Sequence, residues 1–85
     1  MATVTIRYWA AAKEAAGVAE RRLTADTLAD ALAAAVAASG GAQLNAVLER
    51  SSFLIDGHPV GRRAAESVAL PDGAVIEVLP AFAGG

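Results

Sequence analysis

The chain has 85 residues, a formal net charge of −2, one histidine and no cysteine. This length supports one domain with a single modest core. The lack of cysteine excludes disulfides, thiolate nucleophiles and cysteine metal sites, and the slight acidity, with no basic stripe interleaved with aromatics, gives no support for nucleic-acid or anionic-membrane binding.

The elements follow in chain order. In "TVTIRYW", Val4, Ile6 and Tyr8 point one way and Thr5 and Arg7 the other, the period of a half-buried strand. "AAAKEAAG" reads as a loop carrying one helical turn and closed by Gly17. "VAERRLT" alternates again, with Ala19, Arg21 and Leu23 on one face, and its charges suit a sheet edge.

The segment "TADTLADALAAAVAASGG" is the main helix. Asp26 or Thr27 can cap it, Thr27 with Asp30 approximates a capping box, and Gly40-Gly41 ends the helix. Leu28, Leu32, Ala35 and Val36 form its expected inward stripe. Leu44, Val47 and Leu48 mark a short second helical turn. "SSFLIDGHPV" gives a strand through Leu54 and Ile55, an Asp56-Gly57 turn and a brief return at Val60. A half-turn around Ser67 and Leu70 and the turn Pro71-Asp72-Gly73 precede a last strand from Val75 to Leu79.

One helix laid on one face of a mixed sheet buries both amphipathic surfaces with the fewest elements, which makes the class α+β. The apolar first and last strands are expected to pair at the sheet centre. Residues 1–80 are expected to form a β-sheet domain and residues 81–85 a flexible C-terminal diglycine tail. Neither a basic start with an apolar run nor a bilayer-length stretch is present, so a cytoplasmic location is the default expectation.

His58 sits in a turn without further ligands at metal-binding spacing and reads as solvated. Arg21-Arg22 and Arg62-Arg63 read first as solvated charge, and second as contacts to an acidic partner. No nucleophile, histidine and acid can be assembled. Trp9 either caps the core edge or joins a binding patch. Phe82 lies beyond the last strand, where little core remains, and is a candidate anchor for another protein.

The segment "LPAFAGG" raises the sharpest functional question. A frayed terminus is the plain reading. Yet Gly84-Gly85 has no side chains and can thread a channel that any Cβ would block. Seven residues from Leu79 reach roughly 20 Å, enough to place a terminal carboxylate in another protein's active site. A carboxylate without an activated side chain suits attack on the α-phosphate of ATP, giving an acyl-adenylate open to a sulfur or nitrogen nucleophile.

Several motifs together resemble the ubiquitin-like sulfur-carrier family, which includes the small subunits of molybdopterin synthase and the thiamine carrier. These are Trp9-Ala10 followed by Lys13, Glu14 and Gly17; "DTLADALAAAV"; "FLIDGHPV"; and "LPDGAVIEVLPAFAGG". The chain departs from the family pattern at Pro80-Ala81, where two prolines are common, and at Ala74, where an acid often stands.

The resemblance implies a β-grasp (ubiquitin-like) fold of about five strands and one main helix, and a carrier with no bound cofactor. An ATP-dependent adenylating and sulfurating enzyme would activate Gly85, which would then carry the sulfur as a thiocarboxylate. In the molybdopterin version, the large synthase subunit would take the tail and pass sulfur to a cyclic pterin precursor, in a heterotetramer of two small and two large subunits. Pro80, Phe82, Ala83, Gly84 and Trp9 would contact these partners, and catalytic groups would come from the partner. The alternatives are a carrier for thiamine or cysteine biosynthesis, a ubiquitin-like modifier joined to lysines, or a binding module whose diglycine is incidental.

Overall fold

A computed structural model describes residues 2–81. Five strands and three helices are ordered as β1 (Thr3–Tyr8), α1 (Ala11–Ala16), β2 (Glu20–Thr24), α2 (Leu28–Ser39), α3 (Ala42–Leu48), β3 (Ser51–Ile55), β4 (His58–Pro59) and β5 (Val75–Pro80). A 3₁₀ turn spans Ala65–Ser67. The sheet order is β2-β1-β5-β3-β4, with β1 and β5 parallel and the other pairs antiparallel. The helices cover one face of this mixed sheet, which is an α+β, ubiquitin-like β-grasp fold.

Alternation along the strands decides which face is covered. Val4, Ile6 and Tyr8 of β1 and Ile76 and Val78 of β5 are buried, together with Leu28, Ala31 and Ala35 of α2 and Leu44 and Leu48 of α3. Ile6 and Ile76 lie side by side in the parallel register, both fully buried. Burial of this kind, about 25 cal/mol per Å² of apolar surface, supplies the main driving force for folding.

The short connections have local causes. Thr27 takes extended backbone, and its hydroxyl oxygen accepts from the Asp30 N–H at 3.2 Å, so the capping expected from sequence is formed. Asp56 and Gly57 both have positive φ, 51° and 83°, the geometry of a two-residue hairpin turn with right-handed strand twist. The Asp56 carboxylate also accepts from the Val75 N–H at 3.0 Å, fastening that turn to the start of β5. At the same end of the sheet, Asp72 fastens the turn before β5 to the start of β1, accepting from the Thr3 N–H at 2.8 Å.

Three details differ from the sequence reading. The stretch read as a loop with one turn is a six-residue helix, α1, stopped by left-handed Gly17. Strand β2 starts at Glu20, leaving Ala19 outside it and exposed, although β2 is the sheet edge that its charges suggested. The stripe of α2 is wider than expected: Ala31 is buried along with Leu28 and Ala35, and Leu32 and Val36 pack half-buried against the same core.

Tyr8 packs inward with its hydroxyl buried and without a hydrogen-bond partner among the described residues. Burial pushes its pKa above the usual 10.0, partly opposed by the Arg21 guanidinium.

Two outcomes follow from these contacts. Thr27→Ala should lower unfolding stability by about 1 kcal/mol in a denaturant titration, because the Asp30 N–H loses its acceptor. Tyr8→Phe should leave stability at neutral pH unchanged or raise it by about 1 kcal/mol, since it removes an unpartnered polar atom. The raised folded pKa fixes the sign in alkali: the contribution of neutral Tyr8 is complete below pH 10 and is lost as pH rises through the folded value. Thermal melts of the Phe variant should therefore fall less steeply above pH 10 than those of the parent.

Candidate functional site

The sheet positions one candidate site, the edge at which β5 leaves the fold. Strand β5 runs between β1 and β3, so its end is flanked by the end of one and the start of the other. On the β1 side, the Trp9 N–H donates to the Val78 carbonyl at 3.3 Å. On the β3 side, Pro80 pairs with Ser51, and the Ala81 N–H donates to the Arg50 carbonyl at 3.1 Å. Pro80 contributes fixed φ and no N–H. The chain is thus held on the β1 side up to Val78 and on the β3 side up to Ala81.

Trp9 is 48% exposed, so the reading that packed its ring into the core is set aside. With Arg7, Tyr8, Lys13, Ala19 and Glu20 it lines a shallow depression of about 320 Å³ on the β2 side of β1. Its direction is fixed by an unusual neighbour. Ala10 has φ 50° and ψ −123° as it enters α1, a backbone region that costs a non-glycine residue of order 1–3 kcal/mol. The Ala12 N–H then donates to the Trp9 carbonyl at 3.0 Å, closing the turn around it. Sequence reasoning singled out the Trp9-Ala10 pair but not this strain, because alanine carries no signal for positive φ.

The uncovered face of the sheet continues the site. Strand register places Arg7, Glu20 and Glu77 together on it, with Leu54 beside Glu77 and Ser52 beside Leu79. Arg7 and Glu20 approach to 3.4 Å as a half-exposed ion pair, which adds little to stability. On this face Leu79 is half-buried at the exit, and Leu54 and Val75 are half-buried farther back along the strands, with Glu77 between Val75 and Leu79.

Other residues considered from sequence lie elsewhere. His58 and Arg62 are exposed, and the Arg63 side chain donates to the Val60 carbonyl at 3.1 Å, tying down its own loop. Among the described residues no cluster of three or more metal-ligating side chains occurs, and no helix is long and apolar enough to cross a membrane. Ala74 is buried, so a carboxylate at that position would have to leave water. Phe82, Ala83, Gly84 and Gly85 lie outside the described residues, and the roles expected of them are taken up as proposals below.

Comparison with known proteins places this geometry. No curated protein sequence matches the chain. Among solved structures, the small archaeal modifier protein 1 from Methanosarcina acetivorans superposes with a TM-score of 0.83 at 23% identity, covering 100% of this chain and 98% of its own. The small archaeal modifier protein 1 from Haloferax volcanii gives 0.80 at 23%, covering 98% and 99%. A subunit in the complex of subunits 1 and 2 of the molybdopterin-converting factor from Helicobacter pylori gives 0.69 at 24%, covering 98% and 99%. At these identities the likeness establishes the shared fold. The ThiS family model matches residues 6–85, from the middle of β1 through Gly85, and the chain therefore belongs to the ThiS family of ubiquitin-like β-grasp sulfur carriers.

Proposed function

We propose that this protein carries sulfur on the carboxyl group of Gly85. The family match is the observation that supports this most, because it runs through Gly84-Gly85. An ATP-dependent partner enzyme adenylates Gly85: a carboxylate oxygen attacks the α-phosphate and pyrophosphate leaves. Hydrosulfide supplied by that partner then attacks the acyl carbon and displaces AMP, leaving a thiocarboxylate. This chain contributes no acid, base or metal to either step. It contributes a carboxylate on a segment that starts from a rigid sheet edge.

In this reading Gly84 passes the narrowest part of the partner's channel, where a Cβ would collide. Phe82 and Ala83 follow the rigid exit at Pro80 and contact the channel mouth. Trp9 and Leu79, with Leu54 behind Leu79, form the docking face beside it. An exposed tryptophan on a constrained backbone offers contact area at small entropic cost.

The wider reading, a carrier for a thiamine-type or related pathway or a ubiquitin-like modifier, is supported better by the comparisons than the molybdopterin synthase reading. The family is ThiS, and two of the similar structures are modifier proteins. The narrower reading draws on the two-subunit complex of the molybdopterin-converting factor, and would add a large subunit as sulfur acceptor in a heterotetramer.

Intact mass separates these. With the cognate adenylating enzyme, ATP and a sulfur source, the protein should gain about 16 Da, oxygen exchanged for sulfur. No gain would overturn the carrier function, and lysine-linked adducts in cells in its place would assign the chain as a modifier. Gly84→Trp should abolish sulfur delivery while leaving the thermal midpoint within about 1 °C of the parent. Trp9→Ala should raise the dissociation constant for the adenylating enzyme about 10- to 30-fold, measured by calorimetry, with an unchanged melt.

A further inference from the structure

Strand β4 covers only half of its neighbour. It pairs with Leu54 and Ile55 of β3, and the Val60 N–H then donates to the Phe53 carbonyl at 3.0 Å. At Gly61, with φ 64°, the chain turns away from the sheet, and the Phe53 N–H makes no return bond to Val60. Along β3 the backbone groups alternate in direction. Bonds from the Asp56 N–H to the Val75 carbonyl and from the Ala81 N–H to the Arg50 carbonyl show that the even-numbered residues face β5. The odd-numbered ones face outward, so the Phe53 N–H and both backbone groups of Ser51 point to the sheet edge without a partner among the described residues.

The two edges of the sheet differ in kind. On the far edge, β2 carries Glu20, Arg21 and Arg22, and such charges discourage another strand from pairing. The stretch of β3 from Ser51 to Phe53 has no charge and no proline. It borders a pocket of about 290 Å³ whose lining includes Leu28, Phe53, Val60 and Ala65. Among the described residues, Arg63 is the one charged residue of that lining, and its Nε–H donates to the Val60 carbonyl at 3.1 Å. No carboxylate pairs with it among the described residues. The charges adjacent in sequence are mixed, Arg50 and Arg62 against Glu49 and Glu66, so the backbone edge rather than net charge selects the occupant.

We propose that this stretch of the β3 edge takes about three residues of an extended segment from another protein. The segment pairs its backbone with Ser51 and Phe53, sets one aliphatic side chain among Leu28, Phe53, Val60 and Ala65, and places a carboxylate on Arg63. A strand is the fitting occupant because its backbone offers a donor and an acceptor at the spacing of Ser51 and Phe53, on a line that β4 has already begun. The slot is short, bounded by Val60 at one end and by Arg50 at the other. Ser51 is the register partner of Pro80, so the slot lies one strand away from the β5 exit. One partner can therefore hold the slot and the residues beyond Pro80 together. This inference stands whether or not Gly85 carries sulfur.

Nitrogen-15 NMR and amide hydrogen exchange of the full chain test it. The probe is a synthetic octapeptide, blocked at both ends, of alternating valine and threonine with a glutamate near its end. In the free chain the Phe53 amide should exchange with the fast group, and saturating peptide should slow it about tenfold. The amides of Ser51, Phe53, Val60 and Ala65 should shift. Two control peptides are N-methylated at the odd or at the even residues, and at least one should bind about tenfold more weakly for want of a backbone donor. Arg63→Glu should weaken binding about threefold, and a peptide with lysine in place of glutamate should restore it. Full binding of both methylated peptides, an unprotected Phe53 amide at saturation, shifts centred on the β2 edge, or no binding would overturn the proposal. So would a Phe53 amide whose exchange speeds up on dilution, which would make a second copy the occupant. Faster exchange of the same amide once residues 82–85 are deleted would assign the slot to the chain's own C-terminal segment and overturn it likewise.

Discussion

The parallel pairing of β1 with β5 is the contact on which the rest of the molecule depends. It joins the two ends of the sequence at the sheet centre, sets Ile6 beside Ile76, and gives α2 and α3 a floor of Val4, Ile6, Ile76 and Val78 to pack against. In parallel, both strands point the same way, so the end of β1 and the end of β5 emerge together. That shared edge is why Trp9 stands next to the segment leaving Pro80. Reversing β5 would send residues beyond Pro80 to the opposite end of the sheet, beside Thr3, and separate them from Trp9.

The fold thus does mechanical work for chemistry that it does not perform. The structure gives the chain a fixed point of departure, with Ala81 tied to Arg50 on one side and Trp9 tied to Val78 on the other. Strain is placed at Ala10, next to the one tryptophan, where holding a side chain outward is useful. The reaction proposed for Gly85 needs only that its carboxylate be delivered at a known distance and direction from a docked body. A small domain with a limited core suffices for that task.

Much of this was legible in the sequence, for reasons that differ by element. Period-two alternation in "TVTIRYW" reports burial directly, because a sheet with one covered face leaves no other choice for Val4, Ile6 and Tyr8. Thr27 and Asp56-Gly57 are local chemistry, and local chemistry survives into the fold. Helix α1 was hidden because "AAKEAA" has no apolar stripe; it is defined by Gly17 and by packing of Ala12, fully buried against the core. Ala31 of α2 is not legible as an inward residue because alanines fill both the inner and the outer positions of the helix, and nothing sets it apart from exposed Ala33. Trp9 could not be oriented from sequence, since the strand's alternation stops at Tyr8 and Ala10's positive φ redirects the chain. The tail's roles rest on family membership, as glycine has no side chain from which a chemical role can be read.

The most direct test of the central claim is tandem mass spectrometry of the C-terminal peptide after incubation with the adenylating enzyme, ATP and a sulfur donor, paired with a melt of the modified protein. The account predicts that the sulfur maps to the carboxyl group of Gly85 and that the modified and unmodified proteins unfold at the same temperature. Sulfur elsewhere in the chain, or a modified protein with a displaced melt, would contradict a carrier whose reactive end stands apart from its fold.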